Sequence, residues 1–297
     1  MIPAVPAPEA HVRIGIAGIG LIGSSLARAL ASSGIEVRVF DANPDYIAQL
    51  RNLEPRCKSC ATLAQLADGA DIIFVCTPVK AVAGIVAALV PLIGPDTVIT
   101  DVGSAKAGII RDVAAACPGF TRFVPGHPMA GGEASGPLAS HAGLFAGKRY
   151  LLTPGAETSP GAVARVEQVL ASTGALVSVL DPTQHDRIMA VVSHLPHLYA
   201  FALVNAASAE AAALGIDVLK YAGGGFTDVT RIAAADARMW MDIFVENDEF
   251  LLHAYELVKQ QMEALLRAIE KRDEASIAGL IEAARAARLI LSAETQK

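Results

Sequence analysis

His127 stands between Gly126 and Pro128, just past a short apolar run, in the segment PGHPMAGGE. Such a position is poor for a core residue, although the side chain of a loop histidine can also be satisfied by backbone groups. A neutral imidazole can take the proton of a hydroxyl group while the carbon bearing that hydroxyl loses a hydride. Such a base contributes about 10²- to 10⁴-fold to a rate and needs a hydride acceptor beside it.

A glycine pattern near the start of the chain predicts the site of that acceptor. Residues 18–23 read GIGLIG, the spacing G-x-G-x-x-G, between a predicted strand and a predicted helix. Gly18 permits the tight turn, Gly20 lets a pyrophosphate approach the backbone, and Gly23 lets helix and strand pack closely. The alternative is a βαβ turn without a ligand. The residues expected to bind a dinucleotide at this helix N-terminus are Gly18, Gly20, Leu21, Ile22 and Gly23.

Asp41 indicates which dinucleotide the site prefers. It ends the next predicted strand, 18 positions after Gly23, where a carboxylate accepts hydrogen bonds from the adenosine ribose. A carboxylate there repels a 2′-phosphate, so the sequence predicts NAD rather than NADP. Arg38 precedes Asp41 within the same strand and is therefore poorly placed to read a phosphate.

Two further strand ends carry polar residues. Thr77 and Pro78 follow the run DIIFVC, and Ser104 lies in DVGSAK after the run TVIT. Ligands of open parallel sheets bind beyond the carboxyl ends of the strands, so we expect all three residues near the nicotinamide half of the cofactor. Ser104 could equally be a helix N-cap, a role compatible with the first.

The alternation of strands and helices predicts the fold of the first part of the chain. Strand-like runs at 12–17, 36–40, 71–76 and 97–101 alternate with helical patterns at 21–32, 46–52, 62–67 and 79–92. This order is typical of βαβ units and predicts an α/β, Rossmann-type, doubly wound domain. Runs at 122–125, 149–153 and 176–180 could extend the same sheet.

The pattern becomes all-helical after Asp181. Asp181 and Pro182 read as a helix cap followed by a first-turn proline, while Pro196 should kink or end its helix. Gly223 begins a run of three glycines that marks a loop, and the last fifty residues predict two helices or one broken helix. We therefore expect a disordered tail at 1–11, an NAD-binding domain at 12–181 and a helical domain at 182–297.

Composition excludes several classes of protein. The chain has 297 residues, 53% of them hydrophobic and 18% charged, with a net charge of −6. A hydrophobic fraction this high excludes a disordered chain, and an acidic balance argues against binding to nucleic acid or an anionic membrane. We expect no membrane span, because no apolar run approaches the required length of about 20 residues without Gly, Pro or charge. Four cysteines do not make a disulfide framework. We therefore expect a soluble, cytoplasmic protein.

These motifs together resemble the prephenate/arogenate (cyclohexadienyl) dehydrogenase family of tyrosine biosynthesis. The glycine pattern, DVGSAK, GHPMAGGE, HDRIMAVVSHLPH and GFTDVTRIAAADARMW run in the family's order over roughly residues 12–250. The glycine pattern is shared by many enzymes, whereas HPMAG, SHLPH and TRIA with a following Trp are much more specific.

The resemblance implies an NAD domain followed by an all-α dimerisation domain, and hence a homodimer. It implies oxidative decarboxylation of prephenate to 4-hydroxyphenylpyruvate, or of arogenate to tyrosine, in a short, single-function form. It matches His127 to the catalytic histidine, Ser104 to the serine that orients it, and Asp228 to an acid that holds the substrate-binding arginine. His185 receives only a structural role. The matched substrate residues are His197, Arg231, Glu133 and Trp240.

The implied reaction fits these residue types. It needs a hydride acceptor, a base at the hydroxyl and a cation for a carboxylate, and aromatisation drives it without a metal. Arg231 suits the cationic role because a guanidinium binds a carboxylate bidentately and stays charged. A salt bridge to Asp228 or Asp236 is the alternative role for Arg231, and Trp240 could be plain core.

Other interpretations remain open. Arogenate or dual specificity is the main rival, with Glu133 the candidate for contact with an ammonium group. A β-hydroxyacid dehydrogenase would carry a lysine where residues 186–199 have none, and an NAD-sensing regulator would not need the His127, Ser104 and Arg231 set. His194 and His197 have metal-compatible spacing without a completing cluster, and the C-x-x-C at 57–60 stands alone. Thr227 replaces a residue that is basic in many family members.

Overall fold

The computed structural model describes residues 12–132 and 134–295, so the predicted tail at 1–11 lies outside the described residues. The chain divides into two compact units after Asp248. The first unit contains nine strands in the described residues: β1 (Arg13–Ala17), β2 (Glu36–Phe40), β3 (Lys58–Ser59), β4 (Ile72–Val75), β5 (Val98–Asp101), β6 (Phe123–Val124), β7 (Gly126–Pro128), β8 (Arg149–Leu152) and β9 (Leu176–Val179).

Six of these strands form the predicted parallel sheet, in the order β3-β2-β1-β4-β5-β6. All its pairings are parallel. The order reverses between β1 and β4, which opens a crevice beyond their carboxyl ends. Strands β4 and β5 are buried along their whole length, as the near-continuous apolar runs predict for a sheet covered on both faces. The predicted Rossmann-type class is confirmed.

The suggestion that the last three runs extend this sheet is wrong in part. Only β6 joins it, whereas β7, β8 and β9 form a second, three-stranded sheet in which β7 runs antiparallel to β8. The chain leaves the first sheet at Gly126, because the Asp101 carboxylate accepts the Gly126 N–H and the Lys106 ammonium donates to its carbonyl. These side-chain bonds replace the ladder that a longer β6 would make.

Helices cover both faces of the parallel sheet. These helices are α1 (Leu21–Ser32), α2 (Pro44–Leu53), α3 (Leu63–Ala67), α4 (Val82–Leu89), α5 (Ala107–Ala116) and α6 (Pro160–Ala171). One apolar core packs α1, α2 and α6 against the sheet, and a second core packs α3, α4 and α5 on its other face.

The all-helical part of the first unit departs from the sequence prediction at two places. Pro196 does not end its helix, because a π-helical turn at Ala190–His194 joins α7 (Pro182–Met189) to α8 (Leu195–Leu214). The wider turn accommodates a residue without an N–H in a continuing helix. The glycine loop is also shorter than expected, since α9 (Gly224–Thr230) begins within it, before α10 (Ala237–Glu246).

The helical run Pro182–Leu214 is long and apolar enough to cross a membrane by those two criteria alone, contrary to the expectation from the sequence. However, it contains His185, Asp186 and His194, all with at most 1% of their surface exposed. Polar side chains buried in this way are hydrogen-bonded within the protein, whereas only 28% of the most apolar stretch of the run is buried. The second unit, residues 249–297, consists of the remainder of α11 (Asp248–Glu270) and of α12 (Glu274–Thr295), the two predicted C-terminal helices.

Candidate active site

The glycine turn after β1 has the geometry that a dinucleotide requires. Gly18 has φ 92°, and a methyl group added there would lie 2.6 Å from the Cys76 carbonyl oxygen. A methyl group at Gly23 would lie 1.9 Å from the Gly18 carbonyl oxygen, so only glycine lets α1 pack this closely. At Gly20, no atom of the described residues other than its own chain neighbours lies within 4 Å of that position, which leaves the backbone open to a ligand.

Asp41 is tied to the same turn. Its Oδ2 accepts the Ile19 N–H at 2.7 Å and its Oδ1 accepts the Asn43 N–H at 2.7 Å, so the carboxylate is fixed beside the glycines. Arg38 points elsewhere and donates to the carbonyl oxygens of Gln65 and Asp68 at the end of α3. The guanidinium is thereby engaged away from the position of a 2′-phosphate.

We expect Asp41→Asn to weaken NAD binding by about 10-fold, because a charged hydrogen bond contributes about 1.5–3 kcal/mol. NADP should lose less or gain, since the variant no longer repels its phosphate, so the ratio of kcat/KM for NAD to that for NADP falls. Asp45→Asn, an exposed carboxylate on α2, is the matched control and should leave the ratio unchanged. An unaltered ratio in Asp41→Asn contradicts the assignment.

The other predicted cofactor residues line the same edge of the sheet. Thr77 follows β4, and its buried Oγ1 lacks a hydrogen-bond partner among the described residues. The loop after β7 reaches the start of α1, where a methyl group on Gly132 would lie 3.9 Å from Leu21. An open glycine turn, a fixed carboxylate and an unpaired buried hydroxyl fit a dinucleotide. The binding roles of Thr77, Pro78 and the other residues stay predictions.

His127 is buried in β7 and hydrogen-bonded to a second histidine. Its Nδ1 lies 2.8 Å from His185 Nε2, and His185 Nδ1 lies 2.7 Å from Asp186 Oδ1. The two Asp186 oxygens also accept the backbone N–H groups of Lys106 and Ala107, each at 2.8 Å. The carboxylate therefore caps α5 and supports the histidine pair from one position.

A fully buried ion pair fixes the backbone of the same strand. Lys106 Nζ lies 2.6 Å from Asp101 Oδ2 and donates to the Gly126 carbonyl oxygen at 2.8 Å. Asp101 Oδ1 accepts the Gly126 N–H at 3.1 Å. Both backbone groups of Gly126 are therefore held, and the next residue is His127.

The surroundings keep the His127 imidazole neutral. Burial lowers its pKa well below the ordinary histidine value, and the neighbouring His185, Lys106 and His194 lower it further. A neutral ring has an unprotonated nitrogen, which is what a general base needs. The site can therefore accept a proton at neutral pH.

His194 is the last residue of the π-helical turn and is fully buried. Asn247 Nδ2 donates to the Asp186 carbonyl oxygen at 2.8 Å and lies 2.9 Å from His194 Nδ1. Burial is the largest cause that lowers the pKa of His194, to about 4. This histidine is therefore neutral in the folded protein.

The lowered pKa of His194 predicts how stability depends on pH. In the unfolded chain His194 takes up a proton as the pH falls through 6.5, whereas in the folded chain it stays neutral until the pH reaches about 4. The free energy of unfolding therefore decreases as the pH falls from 6.5 to about 4. We expect His194 to contribute about 2 kcal/mol to the stability lost between pH 7 and pH 5. His194→Gln, which does not titrate, should show a correspondingly smaller loss by denaturant unfolding. An equal loss in both proteins contradicts the prediction.

A second cluster lies beside the first. The His197 ring stacks on Trp240, with centroids 3.6 Å apart at 22°, and its Nδ1 lies 2.9 Å from the Ser193 carbonyl oxygen. Burial lowers the pKa of His197, and the positive charge of Arg231 lowers it further, which places Arg231 within electrostatic reach. Trp240 Nε1 is buried without a hydrogen-bond partner in the described part of the chain. The predicted substrate residues His197, Arg231 and Trp240 are thus brought together.

Other predicted roles have mixed outcomes. Ser104 is not the cap of α5, because that helix begins at Ala107 and the Asp186 carboxylate accepts the N–H groups at its start. The hydrogen-bond partner of His127 is His185, so an orienting role for Ser104 stays a prediction. Glu133 lies outside the described residues. No cluster of three His, Cys, Asp or Glu that could hold a metal occurs in residues 12–132 and 134–295.

Sequence reasoning missed the supporting groups Lys106, Asp101 and Asn247, and it underestimated His185. Lys106 and Asp101 stand at the two ends of the quoted motif DVGSAK, and their opposite charges five positions apart are a weak signal for a pair. Asn247 carries no local signal at all.

A dinucleotide turn and a buried neutral histidine at one edge of a Rossmann sheet define a dehydrogenase site. Two family models match consecutive parts of the chain: the nucleotide-binding domain of prephenate dehydrogenase over residues 26–179 and its dimerization domain over 181–283. The cyclohexadienyl dehydrogenase of Zymomonas mobilis is 31% identical over 283 residues, which cover 95% of this chain and 96% of that protein.

Two further prephenate dehydrogenases are similar over most of the chain. That of Bacillus subtilis is 31% identical and is matched over 87% of this chain and 70% of its own. The crystal structure of the A. aeolicus enzyme in complex with hydroxyphenyl propionate and NAD+ has a TM-score of 0.88, with 32% identity, and the match covers 96% of this chain and 99% of that one. This chain therefore belongs to the prephenate dehydrogenase family, and it is an NAD-dependent oxidoreductase.

Proposed function

We propose that this protein catalyses the NAD-dependent oxidative decarboxylation of prephenate to 4-hydroxyphenylpyruvate, CO2 and NADH in tyrosine biosynthesis. The observation that carries the proposal is His127, a buried and neutral imidazole in the strand whose following loop reaches the glycine turn. The stacked His197–Trp240 pair with Arg231 nearby supplies a wall and a cation for an anionic ring substrate.

The residues divide the reaction among them. Bound NAD supplies the acceptor for the hydride from C4 of the substrate. His127 takes the proton of the C4 hydroxyl, and Arg231 binds a substrate carboxylate. The ring carboxylate then leaves as CO2, its bonding electrons complete the aromatic ring, and the phenolate oxygen recovers the proton from His127. Atoms and charge balance without any other reactant.

The apolar lining of the second cluster favours chemistry in which water is excluded. Trp240 has 6% of its surface exposed and covers one face of His197. The Trp240 Nε1–H, which has no partner among residues 12–132 and 134–295, is available to a substrate oxygen, because a buried donor left unpaired costs about 1–3 kcal/mol. A substrate carboxylate or carbonyl would satisfy it.

Arogenate is the second candidate substrate, alone or together with prephenate. Arogenate differs from prephenate only by an amino group in place of the side-chain keto group. The name of the Zymomonas mobilis relative, cyclohexadienyl dehydrogenase, supports dual specificity as an alternative. The predicted contact for that ammonium is Glu133.

NADH formation with prephenate and with arogenate, measured in parallel, tests the proposal. We expect a higher kcat/KM with prephenate. A higher value with arogenate assigns the second candidate, and no NADH from either substrate in a folded protein that binds NAD contradicts both.

The proposal includes a cytoplasmic homodimer with a domain boundary near residue 181. Large apolar side chains exposed along α8, such as Leu203 and Leu214, support association through the helical part, as does the match to a dimerization domain. The four cysteines are free thiols, which supports a reducing compartment. The match to the nucleotide-binding domain ends at residue 179 and the match to the dimerization domain begins at residue 181, which supports this boundary.

A further inference from the structure

The hydrogen bonds around Asp186 determine where protons stand in the histidine pair. Backbone N–H groups can only donate, so the bonds from Lys106 and Ala107 make both Asp186 oxygens acceptors. Asp186 Oδ1 also lies 2.7 Å from His185 Nδ1. That nitrogen must therefore carry a proton and donate it.

The proton on His185 Nδ1 determines the state of its other nitrogen. The side chain has none of its surface exposed, and a second proton would place an additional positive charge in this buried position. His185 is therefore a neutral imidazole whose Nε2 can only accept. Its partner at 2.8 Å, His127 Nδ1, must then donate, which leaves His127 Nε2 without a proton.

We propose that Asp186 and His185 are positioning residues that fix His127 in the tautomer whose bare Nε2 accepts the proton of the substrate. We call these two hydrogen bonds the relay: His127 Nδ1–H donates to His185 Nε2, and His185 Nδ1–H donates to Asp186 Oδ1. It rests on the proposed function only in taking His127 as the base. A carboxylate that orients a histidine in this manner determines which nitrogen is available for catalysis.

The same two hydrogen bonds also stabilise His127 after it has taken the proton of the substrate and become positively charged. When His127 Nε2 takes a proton, the ring becomes an imidazolium that still donates through Nδ1 to His185. The Asp186 carboxylate, one imidazole away, then balances this charge in a site from which water is excluded. The Asp101 carboxylate is paired with the Lys106 ammonium, whereas the Asp186 carboxylate is hydrogen-bonded to His185, the direct partner of His127. His185, Lys106 and His194 are the titratable groups that act electrostatically on the His127 ring.

A pair of substitutions at His185 separates proton order from packing. Glutamine can replace both contacts, because its amide N–H donates to Asp186 and its carbonyl oxygen accepts from His127. Leucine has a similar volume and can do neither. We expect His185→Leu to lower kcat by about 10²-fold with little change in KM, and His185→Gln to stay within about 5-fold of the original protein. His141→Leu, at an exposed histidine, is the control and should leave kcat unchanged.

Nitrogen-15 NMR of the histidine side chains reads the tautomer without any turnover. We expect His127 to be protonated at Nδ1 and bare at Nε2 in the original protein and in His185→Gln, and to lose this preference in His185→Leu; the His127→Gln protein assigns the signal. Equal kcat values for the two His185 variants, or a bare Nδ1 on His127 in the original protein, overturn the relay.

The relay and the proposed function fail in different ways. If neither prephenate nor arogenate yields NADH, the function is wrong, and the NMR result still decides the tautomer. If NADH forms and His127→Gln abolishes it while both His185 variants remain active, the relay alone is wrong. Circular dichroism and NAD binding establish that each variant is folded before either conclusion is drawn.

Discussion

We expect His127→Gln to lower kcat with prephenate by about 10³- to 10⁴-fold, toward the upper end of what a general base contributes. Glutamine preserves most of the side-chain volume and can still donate toward His185, but it cannot accept a proton at neutral pH. NAD should bind with an unchanged Kd, because the glycine turn and Asp41 do not depend on this imidazole. NADH formation gives kcat, and calorimetry gives the Kd.

Two outcomes contradict this prediction. Near-normal turnover in a folded, NAD-binding His127→Gln protein removes the assigned base. Much weaker binding of NAD shows instead that the substitution disturbs the cofactor site.

In the original protein the lowered pKa of His127 keeps the ring neutral below the pH at which an ordinary histidine is protonated. We therefore expect kcat/KM to stay constant as the pH falls toward about 6 and to decline only below that.

Those parts of the fold that follow from local pattern were predictable from the sequence. Helix α1 and strand β2 have the predicted bounds, because the helical and strand periods are clear and Gly34 separates the two elements. The second sheet was not predictable in this way. Its first strand turns away from the parallel sheet because Asp101 at the end of β5 and Lys106 just before α5 take the hydrogen-bonding groups of Gly126, and no local pattern encodes that exchange.

The candidate site shows the same division. The glycines, Asp41 and His127 were recognisable because each stands in a short motif with a chemical reason for its residue type. The support of His127 depends instead on contacts such as Lys106 N–H to Asp186, which are 80 residues apart in the chain. His185 and Asp186 look like ordinary polar residues of a helix until the fold brings that helix against the start of α5.

The ion pair between Lys106 and Asp101 carries the largest predicted effect on stability. Both side chains have none of their surface exposed. Burial is the largest cause that lowers the pKa of Lys106, and the Asp101 carboxylate acts in the opposite direction. Opposed effects of this kind mean that each charge is tolerated only because the other is present.

We expect Lys106→Met to lower the free energy of unfolding by about 3–5 kcal/mol, because it leaves the Asp101 carboxylate buried and unpaired. Lys58→Met is the matched control: its ammonium lies 3.0 Å from Glu36, with 64% of the side chain exposed, and such surface pairs contribute about 0.2–1 kcal/mol. Denaturant unfolding measures both. A Lys106→Met protein as stable as Lys58→Met shows that the buried pair is not needed.

The same substitution separates stability from catalysis when Asp101 is changed with it. Removing both charges in Lys106→Met/Asp101→Asn should recover part of the lost stability, since no buried charge remains unpaired. It should not recover kcat, because the ammonium that donates to the Gly126 carbonyl oxygen is still absent and His127 is no longer held from its backbone side. Recovery of kcat together with stability would mean that His127 is positioned by its hydrogen bond to His185 alone.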